Sequence, residues 1–263
     1  MTGPTLKQMA QTRDLKVGHY VGEFATPGIG HILKNAGCDF VFFDMEHSGF
    51  GFETAKQALR YFEAAGLPAM VRPPSKSYDQ IARTLDVGAE GLVLPMVNDP
   101  AECRHILNCM KYVPEGERGV ALGIAHDNYT GGDVMQKLAD ANRRSTLILL
   151  IETRAGVENA DEMAAMDGVD CLWIGHFDLS CSLGIPGEFG HPDFAAAVEK
   201  ITAACQRHGK SLGRLVNDVD SGVTLFGQGF DFICYSGDVW ALGEAVKAGV
   251  DAIREGATAT SGG

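Results

Sequence analysis

Eight short apolar runs punctuate the chain, and most are separated by stretches with helical spacing. Runs such as F-V-F-F (40–43) and L-I-L-L-I (147–151) are apolar at every position, not at alternate ones. A strand wetted on one face alternates. One that is apolar throughout is covered on both faces, the mark of parallel strands under helices. The runs predict strands at about 17–23, 39–44, 68–72, 91–96, 146–152, 170–175, 211–216 and 231–235. Helical spacing falls at 53–65, 79–86, 100–111, 159–166 and 193–208, and Gly37, Gly66, Gly88 and Gly209 stand where helices should stop. Eight such units in about 250 residues fit an α/β fold of the (β/α)8 TIM-barrel type. The expected organisation is a single domain over 1–255 with an N-terminal helix, a long loop at 112–132 after the fourth βα unit, and a flexible small-residue tail at 256–263. An open dinucleotide-binding sheet is the alternative, but Gly28-Ile29-Gly30 lacks its third glycine, with Leu33 in that place, and there is no G-K-[ST] phosphate loop.

Composition enters where it excludes functions. Lys and Arg number 22 against 34 Asp and Glu, a net charge of −12. Non-specific nucleic-acid or anionic-membrane binding needs the opposite balance. No run approaches the roughly 18 apolar residues of a membrane span, and the first residues, M-T-G-P-T-L-K-Q-M-A, have no apolar signal core. The seven cysteines form no C-x-x-C pair, and several sit in apolar runs, so free thiols in a reducing cytoplasm are expected.

In a parallel barrel, chemistry sits at the C-terminal ends of the strands. The second run ends at Asp44, with Glu46 and His47 just beyond. The third ends at Arg72, the fifth at Glu152, and the sixth at Gly175 with Asp178 following in G-H-F-D-L-S. Ionisable residues far apart in sequence thus converge on one mouth.

Glu152 and Asp178 offer hard oxygens, and two carboxylates with open positions suit Mg²⁺ or Mn²⁺. The plainer alternative pairs Glu152 with Arg154 or another base. His47 is a candidate general base that Asp44 or Asp86 can orient, against an ordinary loop histidine. Arg72 can hold an anionic oxygen, or merely pair with Asp44 or Asp86. The backbone around Gly175 can approach a ligand closely, or Gly175 simply turns the chain. His126 and His176 are second-rank candidates.

The segments F-D-M-E-H-S, V-R-P-P, L-D-V-G-A-E-G-L-V-L-P-M-V, E-G-E-R-G-V, I-E-T-R-A-G-V-E-N and G-V-D-C-L-W-I-G-H-F-D-L-S-C-S-L-G occur in that order. Together, from about residue 18 to 253, they resemble the HpcH/HpaI aldolases, class II pyruvate-type 2-oxo acid aldolases that include 2-dehydro-3-deoxyglucarate aldolase. The resemblance implies a metal-dependent barrel enzyme, an aldehyde-lyase acting on 4-hydroxy-2-oxo acids through pyruvate enolate and an aldehyde. It implies a divalent cation (Mg²⁺, Mn²⁺ or Co²⁺) on Glu152 and Asp178, His47 as base supported by Asp44 and Asp86, and Arg72 on the enolate oxygen. The carboxylate would lie on the backbone of Phe177 and Asp178, within the substrate-binding run Gly175, His176, Phe177 and Asp178. It also implies a homo-oligomer, hexamer or trimer.

Two positions depart from the family pattern. Leu150 stands where Gln is common, and G-H-F-D replaces G-P-x-D. These leave open a condensing relative that uses an oxo acid or acyl-CoA, and a metabolite-binding regulatory barrel is the non-enzyme alternative. A lysine Schiff base is not expected, because Lys56, Lys76 and Lys111 end no predicted strand.

Overall fold

The structure, a computed structural model, describes residues 3–261. Eight parallel strands close a barrel in sequence order: β1 (Lys16–Val21), β2 (Phe40–Asp44), β3 (Ala69–Arg72), β4 (Gly91–Leu94), β5 (Thr146–Ile151), β6 (Val169–Ile174), β7 (Ser211–Val216) and β8 (Phe232–Gly237). All eight predicted runs are strands, with boundaries shifted by no more than a few residues. Side chains alternate across each strand. Phe40 and Phe42, Ile148 and Leu150, and Cys171 and Trp173 therefore pack inside the barrel as one cluster. Val41 and Phe43, Leu147, Leu149 and Ile151, and Leu172 and Ile174 face the surrounding helices in another. That double burial is why the runs are apolar throughout.

The same parity decides what reaches the mouth. Two residues beyond Phe42, Met70, Leu150 and Trp173 on the inward face come Asp44, Arg72, Glu152 and Gly175. Register then sets neighbours. Asp44 pairs with Arg72 across β2 and β3. Ile151 pairs with Ile174 across β5 and β6, which puts Glu152 beside Gly175.

The N-terminal helix is the short Leu6–Met9, closed by a Thr5–Gln8 capping box, and it buries Leu6 and Met9. A helix at Val134–Arg144 follows the long loop, which is irregular apart from the 3-10 turn Ala125–Asp127. The tail expected at 256–263 is helical as far as the structure describes it, because the last helix runs Asp238–Ser261; residues 262 and 263 lie outside the described residues. No helix among the described residues is long and apolar enough to cross a membrane. All seven cysteines are free.

Candidate active site

Asp44 is wholly buried and anchors one side of the mouth. Its carboxylate accepts from Arg72 Nε and Nη2, each at 2.7 Å, and from the Tyr20 hydroxyl at 2.7 Å. It also accepts from the main-chain N–H of Glu46 at 3.0 Å and of His47 at 3.2 Å, which folds the loop after β2 back over the strand end. Phe50 stacks on Phe43 at 4.8 Å and holds the far side of that loop. Burial alone would raise the Asp44 carboxyl; the bonds and charge of Arg72 outweigh it and keep Asp44 below its ordinary value.

Arg72 is both ion pair and potential ligand. Besides Asp44 it meets Glu46 Oε2 through Nη1 at 3.0 Å. Two of its five N–H donors are hydrogen-bonded to Asp44, and the contact with Glu46 is an ion pair without a hydrogen bond. Desolvation works against its charge, but Asp44 and Glu46 more than compensate and keep it cationic. Asp44 does not orient the His47 ring; it holds that residue's main chain. The ring's carboxylate neighbour is Glu46, 3.7 Å from Nε2, and the His47 side chain is 65% exposed at the outer rim.

Glu152 lies deeper, 3% exposed. Its Oε1 accepts from the Met96 N–H at 2.7 Å. Met96 adopts φ 52°, a left-handed conformation costly for a non-glycine residue, and its amide serves Glu152. Oε2 accepts no hydrogen bond from the described residues. Arg154, the alternative partner, instead bonds Ser182 and Leu183. Burial pushes the Glu152 carboxyl up to about 7, and the charges of Asp178 and Glu46 push the same way against Met96 and Arg72. Glu46 is likewise raised by burial.

Gly175 makes room for this carboxylate. A Cβ there would stand 2.3 Å from Glu152 Oε2. Gly175→Ala is therefore expected to fold but to swing Glu152 aside. Activity should fall by about a hundredfold, the scale of a misplacement near 1 Å. A crystal structure of the variant checks the rotation, and an unmoved Glu152 with full activity counts against it.

Gly175 precedes the helix His176–Ser182, whose first-turn N–H groups at Phe177 and Asp178 have no intrahelical acceptor. His176 packs against Phe177 at 4.6 Å and Phe189 at 5.1 Å between ring centroids. Burial, with the nearby Arg214 cation, depresses its imidazole to about 4, so it is neutral at physiological pH.

These groups border a cavity of about 440 Å³, lined also by Tyr20, Phe42, Leu150, Trp173, Leu215 and Trp240. His47, Arg72, Glu152 and Gly175–Asp178 all reach it; Asp44 stands immediately behind Arg72. Asp86 does not. It ends the helix Tyr78–Asp86, shortly before β4 begins and hence at the opposite end of the barrel, where its carboxylate pairs with Arg118. The expected support of His47 by Asp86 is thus absent within the chain. His126 and the long loop also stay away from the cavity; His126 is buried beneath that loop with Nε2 2.7 Å from Ala121 O.

Sequence reasoning missed Tyr20 and Asp238. Tyr20 points inward by strand parity, a signal present in the sequence. Asp238 accepts from the N–H groups of Gly22, Glu23 and Phe24 at 2.8–3.2 Å, tying the β1 end to the last helix. Nothing local to S-G-D marks that role.

Among the described residues, no group of three or more His, Cys, Asp or Glu side chains is placed to hold a metal ion. Of the carboxylates at the mouth, Glu46 is paired with Arg72 and Glu23 stands exposed at the β1 end, which leaves Glu152 with a free oxygen and exposed Asp178 as the donor pair. That donor set fits a hard cation such as Mg²⁺ or Mn²⁺, which keeps waters and takes its remaining oxygens from substrate. Mutual repulsion of the two carboxylates fits the same cation.

A family model described as HpcH/HpaI aldolase/citrate lyase matches residues 20–242. The chain belongs to this family. Hydroxypyruvate/pyruvate aldolase of Roseovarius nubinhibens is 31% identical over 244 residues, 92% of this chain and 94% of that protein. An HpcH/HpaI aldolase from Desulfitobacterium hafniense superposes with a TM-score of 0.90 at 30% identity, covering 96% and 98% of the two chains. The citrate synthase SbnG superposes at 0.86 and 26% identity, covering 96% and 98%. HpcH/HpaI relatives thus include both aldolases and a condensing enzyme.

Proposed function

We propose that the chain is a divalent-metal-dependent aldolase that forms or cleaves 4-hydroxy-2-oxo acids from pyruvate and an aldehyde. One observation carries this reading: Glu152 presents an unbonded carboxylate oxygen to the same cavity as Asp178 and the guanidinium of Arg72. Glu152 and Asp178 would hold the Mg²⁺, Mn²⁺ or Co²⁺. When bound, the cation supplies Lewis-acid polarisation of the 2-oxo group.

The chain's own residues do the rest. The N–H groups of Phe177 and Asp178 hold the substrate carboxylate. Arg72 directs N–H donors not taken by Asp44 at the oxygen that gains charge in the enolate, in a site where burial strengthens the contact. Asp44 fixes that guanidinium by a two-pronged bond. His47, at the rim beside Glu46, takes the proton of the C4 hydroxyl in the cleavage direction and returns it in synthesis. Removing the metal with excess EDTA is expected to abolish pyruvate release from a 4-hydroxy-2-oxo acid, and Mg²⁺, Mn²⁺ or Co²⁺ to restore it. Full turnover under EDTA would overturn the mechanism.

Both tryptophans of the chain, Trp173 and Trp240, line the cavity. Saturating pyruvate with Mg²⁺ is therefore expected to change the intrinsic fluorescence, with no response in Glu152→Gln.

The same reading includes a homo-oligomer working in the cytoplasm. Leu242, Val246, Val250 and Ile253 recur every three or four residues along the last helix and are all exposed. A second copy of the chain is the proposed cover for that stripe. Light scattering on a size-exclusion column is expected to give a multiple of 28.0 kDa; a monomer would refute it.

A further inference from the structure

The cavity has two unlike halves. The ends of β2, β3, β5 and β6 carry His47, Arg72, Glu152 and Asp178. The other half, at β7, β8 and β1, is walled by Leu215, Val239, Trp240 and Tyr20. Leu150, Trp173 and Phe42 floor the space between, each less than 5% exposed. Tyr20 stacks on Trp240 at 5.1 Å and on Phe42 at 5.9 Å, which makes the wall continuous.

This half is nearly devoid of hydrogen-bond acceptors. The Tyr20 hydroxyl gives its proton to Asp44, which leaves only lone-pair capacity on that oxygen. The indole N–H groups only donate. Among the described residues the carboxylates beside this wall are Glu23, at the outer rim, and Asp238, which is committed to the N–H groups of Gly22, Glu23 and Phe24. A substrate hydroxyl buried here would keep its water-loving proton unpartnered, which is unfavourable. A second carboxylate would meet Glu23 and no cation.

We propose that the acceptor aldehyde carries an uncharged hydrocarbon chain, aliphatic or aromatic, which lies on the Tyr20–Trp240–Leu215 wall. This rests on the aldolase reading and specifies its substrate. The oxo acid occupies the polar half and presents its C3 to the aldehyde carbonyl. The C3–C4 bond forms as C3 loses a proton and the former aldehyde oxygen gains one, with no change in oxidation state overall.

Three four-carbon aldehydes test it: butanal, erythrose and succinic semialdehyde, each with pyruvate and Mg²⁺ and with concentrations expressed as free aldehyde. For butanal, kcat/KM is expected to exceed that of each of the other two by at least about tenfold. Val239→Asn, at a position 38% exposed and so tolerant of change, puts an acceptor on the wall and should narrow the butanal-to-erythrose ratio. Equal or greater turnover of erythrose or succinic semialdehyde overturns the proposal, as does a ratio unmoved in Val239→Asn. Exchange of pyruvate methyl protons into D₂O needs no aldehyde and reads enolate formation separately. Exchange without a butanal preference sinks this inference alone. Loss of exchange together with turnover of none of the three sinks the aldolase reading as well.

Discussion

Glu152→Gln is expected to lose turnover by about a thousandfold or more, the several kcal/mol that a Lewis acid contributes, while the metal-free protein becomes more stable above neutral pH. The two effects have one cause. Burial and the neighbouring carboxylates raise the folded Glu152 carboxyl from 4.5 to about 7. Below the lower value both folded and unfolded chains hold the proton, and ionisation has no effect. Between the two the folded chain binds the extra proton, so stability falls as pH rises. Above about 7 the whole penalty stands, on the order of 3 kcal/mol. Glutamine keeps a carbonyl to accept the Met96 N–H and carries no charge. Thermal melts of metal-free wild type and variant should therefore coincide near pH 4 and separate by several degrees at pH 8, the variant higher. Added Mg²⁺ should close the gap by stabilising only the wild type. A variant less stable than metal-free wild type at pH 8 would contradict this account of Glu152.

Arg72→Met is expected to be the most damaging single change to stability. It keeps the bulk of the side chain and strips the cation from a carboxylate that is fully buried. Breaking a buried pair from one side costs about 3–5 kcal/mol, because the remaining charge is left in a poor solvent. Asp44 now helps hold the fold above its ordinary ionisation range, a contribution lost as pH falls through its depressed folded value. Without Arg72, burial is opposed only by the bonds from Tyr20 and two main-chain amides, and the carboxyl is expected to rise, so acid should become less harmful to the variant than to wild type. Asp44→Asn in the same chain should recover much of the denaturant midpoint. Activity should stay down by roughly 10²–10³, the effect of removing an oxyanion partner. Recovery of activity along with stability would show that Arg72 serves Asp44 alone.

The sequence made the barrel legible because double burial leaves an unbroken apolar run, and eight such runs locate eight strands. Strand parity then carried Asp44, Arg72, Glu152 and Gly175 inward without any further information. What the chain places otherwise depends mostly on contacts distant in sequence. Asp86 looks like a partner for His47 on paper, but its helix runs antiparallel to the strands and delivers it to the other end, beside Arg118. On paper Asp44 is free to orient the His47 ring, yet its oxygens are taken by Arg72, Tyr20 and two main-chain amides. The helix Val134–Arg144 was hidden by exposed Val134 and Met135, which blur its apolar face just after a glycine-rich loop. The small residues after Gly256 read as a tail, but extending an existing helix is far easier than starting one. The apolar half of the cavity is assembled from five strands and the start of the last helix, so only the closed barrel reveals it.

Manganese titration followed by electron paramagnetic resonance tests the central claim most directly, because it counts bound cation without needing turnover. Wild type is predicted to bind one Mn²⁺ per chain, more tightly with pyruvate present. Glu152→Gln and Asp178→Asn should each weaken that binding beyond the roughly 10–100-fold that loss of an outer-shell partner causes. Wild-type affinity retained in both variants would place the cation elsewhere and contradict the account.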